Sequence, residues 1–199
     1  MTKLVDYYFT PVSPWTYLGH ARFVDIARRH GAQIAVKPVD FGRVFAASGG
    51  LPLAQRPKQR RVYRLVELAR WSSFLGIPLN LHPLHFPVKA DLASRWILAA
   101  VEQGNDLALD FAGALGRAVW VDEGDISDVA TLAAIAHSLR ADVAALEQRA
   151  GAPDIATRFD ALTQEAIDRG VFGAPTYVVG GEMFWGQDRL DFLARQLAK

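Results

Sequence analysis

Ser13 stands where an apolar, strand-like run hands over to a helical pattern, in the segment Tyr8-Phe9-Thr10-Pro11-Val12-Ser13-Pro14-Trp15-Thr16-Tyr17-Leu18-Gly19. The first turn of a helix presents backbone N–H groups without partners and roughly half a positive charge, so it stabilises an anion set against it. Pro14 suits the first helical position, where its missing N–H leaves nothing unsatisfied. A serine hydroxyl there serves as an ordinary helix cap, as a donor to a bound anion, or as both. Redox proteins that exchange thiols carry a Cys-x-x-Cys pair at such junctions. Here the four positions read Ser13-Pro14-Trp15-Thr16, and the chain contains no cysteine. Thiol–disulfide exchange through the chain's own sulfur is therefore excluded, and any sulfur handled at this junction belongs to a ligand.

A second set of candidates lies near the other end of the chain. Ala174-Pro175 precedes a strand-like run, and Gly186-Gln187-Asp188-Arg189 opens the last helical pattern. Free N–H groups and an acidic side chain stand together there, although Asp188 alone reads equally well as a capping residue and Arg189 as a solvated charge. Arg56, Lys58, Arg60 and Arg61 form a basic run that, by itself, reads as the solvated start of a helix. His82 and His85 are three apart on a proline-rich stretch with no acidic partner beside them, so no metal site is expected.

These residues must be positioned by a body of ordinary composition. The 199 residues are 51% hydrophobic, enough for one sizeable core or two lobes sharing one. A net charge of +1 gives no reason to expect a nucleic-acid or anionic-membrane partner. Neither a signal peptide nor a membrane-spanning run is evident, and a cytoplasmic location is expected.

Residues 4–9, rich in β-branched and aromatic types, read as a strand. After Ser13-Pro14, the stripe Tyr17, Leu18, Ala21, Phe23, Val24 and Ala27 carries a helix to about His30, and Gly31 stops it. Residues 33–39 read as a second strand, parallel to the first across a β-α-β crossover. Residues 40–50 read as a loop or short helical turn and 51–57 as irregular. A helix follows over 58–75, with Val62, Leu65, Val66, Leu68, Ala69 and Leu75 on its apolar face. Gly76-Ile77-Pro78 ends it, and Pro78, Pro83 and Pro87 keep the next stretch extended. Helices fit 91–103, 105–119, 128–139, 142–149 and 154–169, with Ser127 or Asp128 capping one and Asp154 another. Strands at 176–179 and 182–185 flank the hairpin signal Gly180-Gly181, and an amphipathic helix over 188–197 closes the chain.

The order β-α-β, helical insertion, β-β-α makes the fold class α/β, a thioredoxin-like domain with an inserted all-helical domain. Residues 1–42 and 170–199 form the first, and residues 43–169 the second. Three blocks strengthen that reading: the strand with Ser13-Pro14-Trp15-Thr16-Tyr17-Leu18; Arg70-Trp71 through Gly76-Ile77-Pro78; and Gly170-Val171-Phe172-Gly173-Ala174-Pro175-Thr176 with Glu182-Met183-Phe184-Trp185-Gly186-Gln187-Asp188-Arg189-Leu190. Across essentially its whole length the chain resembles the kappa-class glutathione transferases and, more closely, the bacterial 2-hydroxychromene-2-carboxylate isomerases.

The resemblance implies glutathione as cofactor, with Ser13 hydrogen-bonding its sulfur and Pro14 and Trp15 beside it. It implies a cis-proline at Pro175, the backbone of Ala174 pairing with the extended glutathione backbone, and Gly186, Gln187, Asp188 and Arg189 holding the γ-glutamyl end. It also sets the loop at Gly50 against glutathione, at a position where family members often carry asparagine. On the substrate side Arg56, Arg60 and His85 are candidates for an aromatic carboxylate, with Trp15, Trp71 and Trp185 as aromatic walls. A homodimer acting in aromatic compound degradation is expected. The alternatives are a kappa-like transferase conjugating other electrophiles and a thioredoxin-like binding module without chemistry. The block from Gly186 to Arg189 favours an enzyme, since a plain binding module has no need of a γ-glutamyl pocket.

Overall fold

The computed structural model describes residues 3–199. Four strands form one mixed sheet in the order β2-β1-β3-β4: β1 (Leu4–Phe9), β2 (Gln33–Pro38), β3 (Thr176–Val179) and β4 (Glu182–Trp185). β1 and β2 run parallel, with Leu4 opposite Gln33 and Tyr8 opposite Lys37. β3 is antiparallel to both β1 and β4. The period-two alternation of a strand sends Val5, Tyr7 and Phe9 to one face and Tyr8 to the other.

Both faces are covered. On the first, Tyr7 stacks between Phe9 and Tyr177, at centroid distances of 4.3 and 5.4 Å. That layer packs against α1 (Pro14–Arg29) and α9 (Leu190–Leu197) and continues into α4 (Asp91–Gln103) and α5 (Asn105–Trp120) as one core. On the second face Tyr8 and Val178 meet Phe41 and Val44 of α2 (Phe41–Ser48) and Ala166 of α8 (Pro153–Asp168). The remaining helices are α3 (Lys58–Leu75), α6 (Val129–Ser138) and α7 (Val143–Ala150). The thioredoxin-like order interrupted by helices is thus the observed architecture.

Local differences from the sequence expectations have physical causes. Residues 41–48 form a full two-turn helix because the Asp40 carboxylate accepts the Gly42 N–H at 2.7 Å and Gly49, at φ 75°, ends it. α8 begins at Pro153 with Ala152 before it, so Asp154 lies in the first turn rather than capping it. The final helical segment starts as a single 3-10 turn over Gln187–Arg189 before α9. α3 buries only Leu68; Val62 and Val66 of its apolar stripe face solvent, as do Tyr63 and Phe74 beside it.

Candidate functional site

Ser13 has extended backbone and caps α1, its hydroxyl accepting the Thr16 N–H at 3.2 Å. That oxygen donates to nothing among the described residues, so its proton is free while its lone pair serves the helix. Pro14 is the first helical residue and is buried. On the facing segment the Ala174–Pro175 peptide is cis. The Pro175 carbonyl accepts the Gly186 N–H at 2.8 Å, which ties the loop before β3 to the turn after β4. Neither the N–H nor the C=O of Ala174 has a partner among the described residues.

The turn at Gly186–Arg189 is built against α1 by two devices. Gly19 lets it approach: a Cβ at that position would lie 2.7 Å from the Gln187 Cβ and 3.3 Å from the Tyr177 hydroxyl. Arg22 holds it, donating to the Gln187 carbonyl at 3.1 Å and to its side-chain oxygen. Burial lowers the Arg22 pKa from its ordinary value. Gly186 takes φ 100°, a conformation that glycine adopts without strain. Asp188 and Arg189 pair at 2.6 Å on the surface of the turn.

These elements form one wall of a cavity of about 620 Å³, whose opposite wall is α3 and the segment before it. Trp15, Ala174, Trp185, Gly186, Gln187, Asp188 and Arg189 line the first wall; Arg56, Gln59, Arg60, Tyr63, Arg64, Glu67 and Trp71 line the second. Of the residues singled out in the sequence, the cavity gathers Trp15, Trp71, Trp185, Ala174, the block from Gly186 to Arg189, Arg56 and Arg60. Ser13, Pro14 and Pro175 adjoin this lining through Trp15 and Ala174 without being part of it. Gly50 lies off it, close against the Phe45 ring. His85 also lies away from the lining, half-exposed and 3.9 Å from Asp125.

Gln59, Tyr63, Arg64 and Glu67 were not among the sequence candidates. Their signal was spacing: residues 60, 63, 64, 67 and 71 recur at three and four positions, which places them on one helix face. The wall they form is cationic. The hydrogen bond from Arg70, followed by one from Tyr63, holds the Glu67 carboxyl below its ordinary pKa. Burial first, and the Arg60 charge second, lower the Arg56 guanidinium.

Comparisons with known proteins bear on the fold and the family. A family model described as a DSBA-like thioredoxin domain matches residues 4–198. Over 199 residues the chain is 33% identical to the 2-hydroxychromene-2-carboxylate isomerase of Sphingobium xenophagum, an alignment covering 99% of each chain. It is 27% identical to glutathione S-transferase kappa 2 of Caenorhabditis elegans, over 96% of this chain and 92% of that one. A solved structure of a 2-hydroxychromene-2-carboxylate isomerase superposes with a TM-score of 0.77 at 29% identity, over 98% of this chain and 94% of the other. By length, architecture and sequence, the chain belongs to the DSBA-like thioredoxin domain family and, within it, to the 2-hydroxychromene-2-carboxylate isomerase family.

Proposed function

We propose that this protein is a glutathione-dependent isomerase interconverting 2-hydroxychromene-2-carboxylate and trans-o-hydroxybenzylidenepyruvate. The observation that carries the reading is the pairing of walls in one cavity. A helix start, an unpaired backbone segment and the turn at 186–189 face arginines and aromatic rings. A peptide with carboxylates at both ends and a thiol in the middle suits the first wall; a conjugated aromatic carboxylate suits the second.

The residues present fit glutathione. The free N–H and C=O of Ala174 offer an extended peptide the pairing that an added strand would take. The turn from Gly186 to Arg189 offers backbone donors and Asp188 to the γ-glutamyl carboxylate and ammonium groups. The Ser13 hydroxyl, with its proton free, donates to the sulfur, and the start of α1 adds its partial positive charge. Both effects favour thiolate over thiol. When bound, glutathione supplies a nucleophile whose transient addition to a conjugated carbon lets a double bond rotate, and it leaves unchanged. Arg56 and Arg60 hold negative charge on the substrate side, and Trp15, Trp71 and Trp185 form flat apolar walls.

A homodimer belongs to the same reading, supported by Val62, Tyr63, Val66 and Phe74 exposed along α3. Sedimentation showing only single chains at micromolar concentration would refute that part.

The deciding experiment is ultraviolet titration of the thiolate of glutathione bound to the wild type and to Ser13→Ala. The expected result is a thiol pKa well below that of free glutathione in the wild type, and most of that drop lost in the mutant. An unshifted thiol in both proteins sinks the reading. With activation established, product analysis separates isomerisation from conjugation: a released glutathione adduct in place of the isomer makes the protein a kappa-like transferase.

A further inference from the structure

Arg64 lines the cavity, and the function proposed above gives it no task. Of the other charges on the lining, Asp188 pairs with Arg189 at 2.6 Å, Glu67 accepts from Arg70 at 2.7 Å, and Arg60 stands exposed to water. Arg56 donates its Nε–H to the Leu51 carbonyl at 2.8 Å. Arg64 makes no hydrogen bond and no ion pair among the described residues. What it meets is aromatic, its guanidinium lying 5.4 Å from the Phe86 centroid and 5.8 Å from that of Trp120.

The seat is partly closed to water, so the guanidinium gives up some hydration there and meets no anion of the chain in exchange. Cation–π contact with two rings supplies part of the stabilisation lost with water. It does not replace an anion, and Arg60, one turn away on the same face of α3, adds a like charge. Burial, and behind it the Arg56 charge, bring the Arg64 pKa down to about 10, which leaves the group charged at neutral pH. A planar fork held against rings also loses little freedom when it meets a carboxylate.

We propose that Arg64 is the anchor for the carboxylate of an aromatic acid substrate, set on the α3 wall with Trp71 two turns further along the same helix face. The proposal rests on the glutathione reading for what fills the rest of the cavity. It gives the substrate carboxylate to Arg64 itself, with Arg56 and Arg60 adding only to the positive field around it, and leaves the glutathione carboxylates to the other wall. It also makes the charge of the acid a determinant of specificity, since a neutral analogue leaves the guanidinium uncompensated.

The test titrates trans-cinnamate, and separately cinnamamide, into wild type, Arg64→Met and Arg64→Lys, each with and without glutathione, following tryptophan fluorescence or heat. The wild type is expected to bind cinnamate about 10- to 100-fold more tightly than the amide, the range of a charge-assisted hydrogen-bonded pair. Arg64→Met is expected to bring cinnamate down to the level of the amide while leaving glutathione affinity unchanged. Arg64→Lys, which keeps the charge without the fork, should fall between. The melting temperature of Arg64→Met should hold or rise, because the substitution removes an uncompensated charge; a structural arginine would show a fall.

Wild-type affinity for cinnamate in Arg64→Met overturns the proposal, as does a wild type that does not distinguish acid from amide. Weakened glutathione with unchanged cinnamate also overturns it, because Arg64 then serves the cofactor. Arg64-dependent cinnamate binding beside an unshifted glutathione thiol keeps the anchor and sinks the proposed chemistry alone.

Discussion

At Ser13 a capping bond and a free hydroxyl proton share one oxygen, and the choice of substituent separates them. Alanine removes both, and loss of the cap costs about 1 kcal/mol. Aspartate keeps an acceptor for the Thr16 N–H, removes the proton and adds a charge that repels thiolate. Urea unfolding should therefore show Ser13→Ala weakened by about 1 kcal/mol and Ser13→Asp near wild type. Ser13→Ala should move the bound thiol pKa back toward its free-solution value, and Ser13→Asp should carry it to that value or above. A thiol still acidified in Ser13→Asp means that hydroxyl donation is not what activates it. His20 makes a second residue-scale case, buried between the Tyr7 hydroxyl at 3.1 Å and the Leu109 carbonyl at 2.9 Å. Burial lowers its pKa to about 4, the Leu109 carbonyl opposing this in part, so the ring is neutral at pH 7. The unfolded chain takes up this proton near pH 6.5 and the folded one only near pH 4. Stability from the neutral ring is thus complete above about pH 6.5 and is lost as the pH falls, by roughly 3 kcal/mol at most. Unfolding at pH 7 and pH 5 should show about 2 kcal/mol of that loss in the wild type and a flatter profile in His20→Gln.

Among the elements, the contact between α1 and the turn at 186–189 decides whether the cavity has its first wall. It depends on the missing side chain of Gly19, because a Cβ there would collide with Gln187 at 2.7 Å, and the turn is held by Arg22. Gly19→Ala should destabilise the protein by about 1–3 kcal/mol, as overpacking does. It should also weaken glutathione binding, measured by calorimetry, more than an alanine placed on the solvent side of α1. Unchanged glutathione affinity would show that the turn does not contribute to the pocket. Such contacts explain what could be read from the sequence. Strands β1, β2 and the hairpin of β3 and β4 follow from local alternation and from Gly180-Gly181, and α1 from Ser13-Pro14 and its stripe. The apolar stripe of α3 was equally plain, but a stripe says which side is apolar and not whether a core stands opposite; Val62 and Val66 face solvent. Arg56 and Arg60 were legible as charges near the site. Arg64 was not, because its surroundings, Phe86 and Trp120, come from distant parts of the chain. His85 sat in a suggestive sequence and folds toward Asp125, off the cavity.

At the scale of the whole molecule, the helical segment returns to the sheet through a charged network on its second face, and that network leads directly into the site. Lys37 of β2 lies 2.8 Å from Asp6 of β1 and 2.7 Å from Glu165 of α8. Arg169, at the end of α8, pairs with Asp6 at 2.8 Å, and the Tyr8 hydroxyl donates to Glu165 at 2.6 Å. Past Arg169 the chain turns at Gly170, buries Val171 in the second core and reaches Ala174 within a few residues. Removing the central cation leaves two carboxylates under-compensated: the Lys37 and Asp6 side chains are only 14% and 13% exposed. Lys37→Met should cost about 2 kcal/mol, less than a fully buried pair because Glu165 and Arg169 reach solvent and both acids keep Arg169. Burial pushes the Glu165 carboxyl up, yet the hydrogen bonds from Lys37 and Tyr8 outweigh it and hold the group below its ordinary range. The stability it contributes is therefore present above the unfolded carboxylate pKa, about 4.3, and disappears as the pH falls through the lower folded value. The difference between wild type and Lys37→Met should be largest at pH 7 and shrink below about pH 4. A difference that persists undiminished at pH 3 would assign the loss to the packing of the Lys37 chain rather than to charge. If the network also steadies the segment carrying Ala174, glutathione should bind Lys37→Met more weakly at pH 7 while the thiol of the bound fraction stays fully acidified, since Ser13 and the start of α1 are untouched.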